Sequence, residues 1–478
     1  MFKPKTISDY YDLKKSQAEL DFFNVNVFSD NPRFIDPFPF SQRIDQLSQD
    51  CHLVLKNYFQ QVVDCIKIGH HKEAFKLLAC LREPNETRLG LSRDRPRGAG
   101  IGDGQAEQIF EALKGSEALQ TGFIKSIAEC ELMIEGIGPD KISDLTTNII
   151  RSQLIKYTEQ QCNLHGIPFK ETDYSFPCFN QKKMIWEEVY PRLPHVDEKP
   201  LLLTPKAFVK ISCAMQHQKY YRGYVLSEMQ QEALSGGKHS NLVIVQKNKS
   251  KKVNKYQLEE KEPCTKQFLY EFSKDHEDLL NKYRNDLSQI GPVEEKNDDE
   301  KTIAEILIKG LKTIPTGNKT ASDYHNLVIG IIEFIFFPHL FNPVKEAVIN
   351  EGRKRIDLLM DNAAKSGILY DLHMIRKVPC GKVPFECKNY KTDIQNPEID
   401  QLLGRLSTYR GMFGILCCRH FDDRSTVIKR CKDAWGQQKQ LPIPLDDNTL
   451  IVWLDLIAKN NRVAVDLRLR NLIDEVWV

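Results

Sequence analysis

The chain has 478 residues, which is too many for a single hydrophobic core and predicts two or three domains. Hydrophobic residues make up 41% and charged residues 28%, a mixture typical of soluble globular proteins. The formal net charge of +2 excludes a chain that is basic throughout, so any surface for nucleic acid must be local. No apolar run of about 18 residues predicts a membrane span, and the N-terminus, MFKPKTISDYYDLKKSQ, lacks the apolar stretch of a secretory signal.

The cysteines point to a reducing compartment. There are 13, they are scattered, and none forms a CxxC pair. This distribution favours free thiols and a cytoplasmic location over a disulfide framework or a zinc site.

Residues 1–290 are predicted to be mainly helical with some strand. Apolar residues recur at three- and four-residue spacing through residues 42–82, which indicates helix. The segment 86–106, ETRLGLSRDRPRGAGIGDGQA, is rich in arginine and glycine and is predicted to be a loop. Two interpretations stay open for this loop, namely phosphate binding through arginines and free backbone amides, or a solvated surface.

Helical character returns at residues 107–163, where Ser143 or Asp144 is predicted to cap the N-terminus of the following helix. The apolar run PLLLTPK, residues 200–206, predicts a buried strand. A weaker hypothesis makes Asp144 and Lys206 the remnants of a second metal site. Against it, the residue two before Lys206 is Thr204 and not an acid.

Three further segments lead to a predicted domain boundary. Residues 234–262 are rich in lysine, which indicates a solvated face or, as the alternative, phosphate contacts. Residues 267–287 have a helical pattern. The stretch GPVEEKNDDEKT, residues 291–302, is polar and acidic, and we interpret it as the linker before a second domain at 303–478.

Strands and helices alternate in residues 303–478, which predicts an α/β layered domain. The predicted elements are helices at 302–314 and 321–337, strands at 350–362 and 382–390, a helix at 396–412, a strand at 413–419, a helix at 422–438 and a last strand at 449–456.

The stretch PFECKNY, residues 384–390, places an acid and a base two residues apart. Because strand side chains alternate between faces, Glu386 and Lys388 share one face while Phe385 and Cys387 point into the apolar layer. If Asp357 lies on a neighbouring strand, two carboxylates and an ammonium group converge. Two carboxylates about 4 Å apart repel by roughly 4 kcal/mol at an effective dielectric of 20. A divalent cation such as Mg²⁺ or Mn²⁺ would offset that repulsion.

These residue types suit phosphodiester hydrolysis. Mg²⁺ held by Asp357 and Glu386 would polarise the phosphodiester and lower the pKa of a bound water. Lys388 would position or deprotonate that water and stabilise negative charge in the transition state. Glu333, on the preceding helix, would add a ligand through water, and Gln401 would orient the nucleophile or a phosphate.

The order of these residues resembles the PD-(D/E)XK nuclease superfamily, whose fold is that of the restriction endonucleases. The matching parts are Glu333 on a helix, GRKRID ending in Asp357, ECK from Glu386 to Lys388, and EIDQLLGRL with Gln401. The resemblance covers about residues 320–456. It implies a mixed central sheet flanked by helices, with these five residues as the catalytic set and the first two strand carboxylates as metal ligands.

Parts of the pattern allow other interpretations. The long gap between Asp357 and Glu386 implies an inserted element in AAKSGILYDLHMIRK, and Glu351 and Asp361 flank Asp357 as competing ligands. Arg353, Lys354 and Arg355 would contact phosphates or would be solvated. In the simplest structural interpretation, Glu333 and Gln401 are ordinary helix residues, Asp357 ends a strand, and Glu386 and Lys388 form an ion pair of little energetic value.

The resemblance implies a metal-dependent endonuclease that acts on DNA, with restriction or antiviral defence as the expected role. The alternative is a catalytically inactive module that binds nucleic acid or protein on the same fold. Residues 1–290 would recognise a target or a protein partner, and paired cuts in a duplex are compatible with a homodimer. An RNA substrate stays open, although no aromatic RNA-binding motif is apparent.

Overall fold

The structure is a computed structural model that describes residues 6–90, 103–246, 249–289, 300–349, 353–392 and 394–478. The part before residue 290 is mainly helical, as predicted. Its helices are α1 (Ile7–Tyr10), α2 (Gln46–Lys67), α3 (His71–Ala79), α4 (Asp103–Lys114), α5 (Glu117–Gln120), α6 (Cys130–Met133), α7 (Pro139–Ile149), α8 (Arg151–His165), α9 (His217–Tyr220), α10 (Leu226–Leu234), α11 (Lys255–Lys261), α12 (Lys266–Asp275) and α13 (Glu277–Gln289).

Short strands join these helices in five antiparallel pairs among the described residues, β1 with β8, β2 with β5, β3 with β4, β6 with β7 and β9 with β10. The strands are β1 (Phe34–Ile35), β2 (Lys170–Glu171), β3 (Phe176–Asn180), β4 (Ile185–Val189), β5 (Arg192–Leu193), β6 (His195–Val196), β7 (Lys199–Pro200), β8 (Val209–Lys210), β9 (Ile244–Val245) and β10 (Lys251–Lys252).

Two local predictions for this part are wrong. The helix α7 begins with Pro139 in its first turn, so Ser143 and Asp144 lie inside the helix and cap nothing. Proline at the first helical position loses no hydrogen bond, which explains the earlier start. The apolar run 201–204 is buried as predicted, but it forms no strand. Of the predicted segment 200–206, Pro200 ends the two-residue strand β7, and Pro205 makes an isolated bridge to Phe22.

Other predictions for this part are refined. Residues 42–82 contain two helices, and Asp45 caps the first by accepting from the Ser48 amide at 2.7 Å. The helical segment 267–287 is divided between α12 and α13 at His276. Most of the arginine- and glycine-rich loop, from 91 to 102, lies outside the described residues. Of the predicted linker at 291–302, residues 291–299 lie outside them and residues 300–302 begin α14, so the domain boundary stays a prediction. In the lysine-rich segment, Lys251 and Lys252 are exposed on β10.

The C-terminal part is built around a five-stranded mixed sheet in the order β11-β12-β13-β14-β15. The first three strands are antiparallel to one another, and the last three are parallel. The strands are β11 (Leu340–Ile349), β12 (Lys354–Asn362), β13 (Lys382–Lys388), β14 (Phe413–Cys418) and β15 (Leu441–Asp446).

Helices pack around this sheet and complete a second hydrophobic core. They are α14 (Glu300–Thr313), α15 (Ala321–Phe336), α16 (Gly367–Tyr370), α17 (Asn396–Leu403), α18 (Arg424–Gln438), α19 (Asp447–Ala458) and α20 (Arg462–Trp477). The helix α16 and the π turn after it, Asp371–Ile375, form the predicted inserted element between β12 and β13. The protein is thus of the mixed α/β class. Among the described residues, no helix combines the length and apolar character that crossing a membrane requires.

The predicted last strand at 449–456 is wrong, because this segment lies in α19. Asp446 caps the helix by accepting from the Thr449 amide at 2.8 Å, and the buried residues Leu450, Trp453, Leu454 and Ile457 recur with helical spacing. The last strand is instead the preceding β15, which was not predicted because it contains two prolines. The edge strand β11 was not predicted either.

The two parts of the chain are in contact through β11. Helix α8 lies against this strand, where the Gln161 side chain donates to the Pro343 carbonyl at 3.4 Å. The Asn342 amide donates to Asp21 at 3.0 Å. All 13 cysteines are free thiols.

Candidate active site

The two predicted strand carboxylates lie side by side on neighbouring strands. Leu358 of β12 pairs with Phe385 of β13, and continuing this antiparallel register by one residue sets Asp357 opposite Glu386. Directly opposed residues on one face have their Cβ atoms about 4.5–5.5 Å apart. Because β13 is the middle strand, helices and neighbouring strands cover it, and Glu386 is fully buried.

Three donors surround the Glu386 carboxylate. Oε2 accepts from Gln401 Nε2 at 3.0 Å and lies 3.4 Å from Lys388 Nζ, while Oε1 accepts from Arg405 Nε at 3.2 Å. Lys388 Nζ also donates to Gln401 Oε1 at 3.0 Å. The three predicted residues Glu386, Lys388 and Gln401 therefore form one closed hydrogen-bonded ring.

Asp357 occupies the more open side of this group. Its Oδ2 accepts from the backbone amide of Cys387 at 2.9 Å, and a quarter of its side chain is exposed. His325, on α15, lies 4.0 Å from the same oxygen and hydrogen-bonds through Nε2 to the Cys387 carbonyl at 2.9 Å. The peptide groups on both sides of Cys387 are thus tied to Asp357 and His325, which orders the strand at the site.

Burial and charge shape the acidity of Glu386. Burial, followed by the charge of Asp357, raises the pKa of Glu386 to about 7, while Lys388 and Arg405 act in the opposite direction. A carboxyl group with this pKa exchanges its proton near neutral pH, as general acid–base catalysis requires. The residual repulsion between the two carboxylates is the property that a bound cation would relieve.

The loop after α17 holds Arg405 against Glu386. Arg410 Nε donates to the Arg405 carbonyl at 3.0 Å, and Gly411 closes the loop with φ of 125°. A Cβ at Gly411 would lie 2.2 Å from the Lys382 carbonyl oxygen, so only glycine fits. This close approach holds the loop at the start of β13, and the same loop carries Arg405, whose guanidinium donates to Glu386.

The residues present suit a hard divalent cation with few protein ligands. Within the described part of the chain, no three Asp, Glu, His or Cys side chains converge closely enough to hold a metal ion. Mg²⁺ commonly uses one or two carboxylates and fills its remaining positions with water and phosphate oxygens. Asp357 and Glu386 are of the right type and number for such a site.

Glu333, the fourth predicted acid, belongs to a different cluster. Its Oε2 lies 3.4 Å from Lys206 Nζ, and its Oε1 has no hydrogen-bond partner among the described residues. Burial and the neighbouring Asp21 raise the pKa of Glu333 to about 8, while Lys206 and Lys15 lower it. Tyr157 donates to Asp21 at 2.7 Å. The structure therefore places Glu333 where the N-terminal part meets α15, in contact with Lys206 rather than with the ring at Glu386.

The competing acids have other partners as well. Asp361, four residues along β12 from Asp357, is buried in an ion pair with Lys382 and accepts from Asn342 at 2.9 Å. Glu351 lies outside the described residues. Asp144 is half-buried in α7, where loss of solvent contact, Asp140 and Glu83 raise its pKa to about 8. Lys206 instead lies beside Glu333, so the two residues of the hypothetical second metal site have different neighbours.

The predicted basic run lies at the start of β12 and is exposed. Arg355 Nη1 pairs with Glu346 on the edge strand at 3.2 Å. Lys354 Nζ reaches the end of α17, since it would lie 3.3 Å from a Cβ placed on Gly404, the residue before Arg405. Lys354 is therefore the member of the run, Arg353–Arg355, that the structure places beside the site.

Sequence reasoning missed His325 and Arg405. Arg405 follows Gln401 by one helical turn, and residues four apart on a helix share a face, so its position beside Gln401 was a usable signal. His325 carried no comparable signal, because its contact with the Cys387 carbonyl depends on how α15 packs against β13.

Comparison with known proteins bears on the other end of the chain. Residues 12–216 are similar to a protein family described as a domain of unknown function, DUF8370. This match ends before the five-stranded sheet begins. A comparison with curated proteins and one with solved structures gave no match.

Proposed function

We propose that residues 300–478 form a metal-dependent nuclease domain of the PD-(D/E)XK type that hydrolyses phosphodiester bonds of DNA. The observation that carries the proposal is the ring of Glu386, Lys388 and Gln401 beside Asp357 on the central strands of a mixed sheet. The sheet, flanked by helices, supports the restriction-endonuclease-like fold that the sequence resembles. Mg²⁺ or Mn²⁺, when bound by Asp357 and Glu386, would polarise the phosphate and lower the pKa of a water.

The chain's own groups supply the rest. Lys388, held by Gln401 and Glu386, brings one positive charge to the face where negative charge develops on phosphorus. Hydrolysis breaks the bond between phosphorus and the 3′ oxygen, placing the oxygen of water on phosphorus and a proton on the leaving oxygen. Lys354, whose side chain reaches from β12 to the end of α17, and Arg405 add positive charge along the approach of a phosphate backbone.

A second candidate is an inactive binding module. The observation that favours it is the saturation of Glu386, whose two oxygens already meet Lys388, Gln401 and Arg405. A carboxylate engaged by three donors is less available to a cation. In this candidate the ring is structural, and the domain binds nucleic acid or protein without cleaving it.

Cleavage and binding measured on one preparation separate the two candidates. Purified protein is incubated with supercoiled plasmid and Mg²⁺ or Mn²⁺, with EDTA as the metal-free control, and binding is measured by gel shift with Ca²⁺ in place of Mg²⁺. We expect Lys388→Ala to lose about 10²–10⁴ in cleavage rate, the size of one acid–base contribution, and to keep DNA binding. Lys309→Ala, a change of an exposed lysine on α14, is the matched control.

Two outcomes would reject the nuclease proposal. Full cleavage by both Lys388→Ala and Asp357→Asn would remove the ring from the chemistry. The wild type could instead bind DNA without metal and fail to cleave it. If Lys354→Ala weakened that binding, the result would support the binding module. Cleavage of RNA in place of DNA would change the substrate and leave the site assignment intact.

A further inference from the structure

A cavity lies in the N-terminal part, distant in sequence from the ring of Glu386, Lys388 and Gln401. It has a volume of about 400 Å³ and opens between the turn that follows α3, the start of α8 and strand β3. Cavities of this size accommodate small organic ligands. Four cationic and two anionic side chains line it, namely Arg82, Arg88, Arg151, Lys199, Glu83 and Glu86.

Arg88 is the most unusual of these residues. Only 6% of it is exposed, and its Nε makes no hydrogen bond with any described residue. Its backbone has φ of 56°, in the left-handed region that arginine rarely adopts. Asn31 stabilises this conformation by donating from its backbone amide and its side chain to the Arg88 carbonyl, at 2.9 and 2.8 Å. A buried guanidinium with an unused donor is costly unless water or a ligand supplies the acceptor.

Arg151 forms a fixed wall of the cavity. Its guanidinium lies 2.9 Å from Glu86, donates to the Pro177 carbonyl at 3.0 Å, and stacks 5.6 Å from the centre of the Phe176 ring. Glu86 is therefore the ion-pair partner of Arg151. Burial lowers the pKa of Arg88, against the opposing charges of Asp30 and Glu86.

Two aromatic rings, Tyr174 and Phe176, also line the cavity. The rings of Tyr174 and Phe176 have centroids 5.1 Å apart and are inclined by 34°, and Tyr174 is 54% exposed. An exposed ring held on a second, buried ring is a rigid platform for a planar group. Stacking of a nucleobase on an aromatic side chain needs only such a face.

We propose that this cavity binds a nucleoside phosphate, with the phosphate on Arg88 and the base on Tyr174. The net of two positive lining charges matches a phosphate monoester, which carries close to two negative charges at neutral pH. Lys199, at the exposed rim, is placed to meet the same phosphate. The ligand is either a free nucleotide or the phosphorylated end of a nucleic acid strand, and this assignment is independent of the nuclease proposal.

Calorimetric titration in EDTA tests the proposal without cleavage. The probes are AMP, adenosine, inorganic phosphate, and a short single-stranded oligonucleotide with and without a 5′-phosphate. We expect AMP to bind more tightly than adenosine or phosphate alone. Preference for the 5′-phosphorylated oligonucleotide over AMP would identify a strand end as the source, and the reverse preference would identify a free nucleotide.

Matched variants assign the binding to this cavity. Arg88→Gln should weaken AMP binding about tenfold or more, the value of a charge-assisted hydrogen bond. Tyr174→Ala should weaken it about 5- to 150-fold through lost stacking. Arg222→Gln, a change of an exposed arginine paired with Glu259, should leave the affinity unchanged.

Three results would overturn the assignment. In the first, the wild type binds neither AMP nor the phosphorylated oligonucleotide up to about 1 mM. In the second, Tyr174→Ala binds AMP as tightly as the wild type does. In the third, Arg222→Gln loses as much affinity for AMP as the cavity variants do. If Arg88→Gln does not fold, Tyr174→Ala decides the question, because its half-exposed ring can be removed with little effect on folding.

Discussion

Removing Lys388 should destabilise the protein in a way that depends on pH. Its Nζ lies 3.0 Å from Gln401 and 3.4 Å from Glu386, and only 8% of the residue is exposed. Lys388→Ala leaves a buried carboxylate beside Asp357 with one cation fewer. Breaking a buried ion pair by removing one partner typically costs about 3–5 kcal/mol. The sequence did not show that this lysine is buried, and an exposed ion pair would contribute little.

The size of the effect follows from the pKa of Glu386. Its pKa is about 7 in the folded protein against an ordinary value of 4.5. A raised acid pKa means that the folded state binds the proton more tightly, so stability falls as pH rises from 4.5 through 7. At about 1.4 kcal/mol per pKa unit, ionising Glu386 costs the folded wild type about 3 kcal/mol.

Without Lys388 the pKa of Glu386 rises further, and the loss continues to higher pH. At about pH 5 the carboxyl group is protonated in both proteins, so Lys388→Ala should cost only the hydrogen bond to Gln401, about 1 kcal/mol. At about pH 8 the cost should grow to about 3 kcal/mol. The ring geometry thus predicts that the destabilisation caused by Lys388→Ala increases between these two pH values.

Guanidinium denaturation at both pH values measures this rise. The proteins are the wild type, Lys388→Ala, Glu386→Gln and the double variant, with Lys309→Ala as the control. In the Glu386→Gln background, the cost of Lys388→Ala should differ little between the two pH values. Equal destabilisation by Lys388→Ala at both pH values, or persistence of the difference in the double variant, would refute the reasoning.

Three further predictions concern the metal and the neighbouring acids. Saturating Mg²⁺ or Mn²⁺, at 100 times Kd, should stabilise the wild type by about 2.7 kcal/mol in a thermal melt; Asp357→Asn should lose this shift and Glu346→Gln, on the edge strand, should keep it. Glu333→Gln should leave plasmid cleavage unchanged, and it should remove only that part of the stability loss between pH 4.5 and 8 that comes from Glu333 ionising beside Asp21, so that the part from Glu386 remains; a cleavage defect would restore Glu333 to the catalytic set. Gln401→Ala should lower kcat about 10- to 100-fold with little change in KM, as loss of a residue that orients others does, and an unchanged kcat would leave Gln401 a purely structural role.

Much of the C-terminal fold was predictable, because its elements have clear periodicity. The strands β12, β13 and β14 and the helices α14, α15 and α18 were predicted correctly in kind and position. The failure at residues 449–456 has a physical reason, since a short apolar run suits a buried strand or a buried helix equally well. The strand β15, which contains two prolines, was missed, because proline argues against a strand.

In the candidate site, too, the features set by local structure were predictable and those set by long-range packing were not. The pleat of a strand is local, so the pairing of Glu386 with Lys388 on one face could be deduced from their spacing alone. The position of Asp357 opposite Glu386 depends on the register of two strands joined by an insertion. That register is set by packing over the whole sheet.

The orientation of α15 shows most clearly what the sequence alone could not predict. Its second half is buried all round, so its sequence does not state which buried face meets which neighbour. Lys206 and Asp21, from the distant N-terminal part, meet Glu333, while His325 meets the strand that carries Glu386. Periodicity records that a side chain is buried. Only the packing of distant segments decides which charge lies beside it, because electrostatic and hydrogen-bonded contacts depend on distance in space and not on separation along the chain.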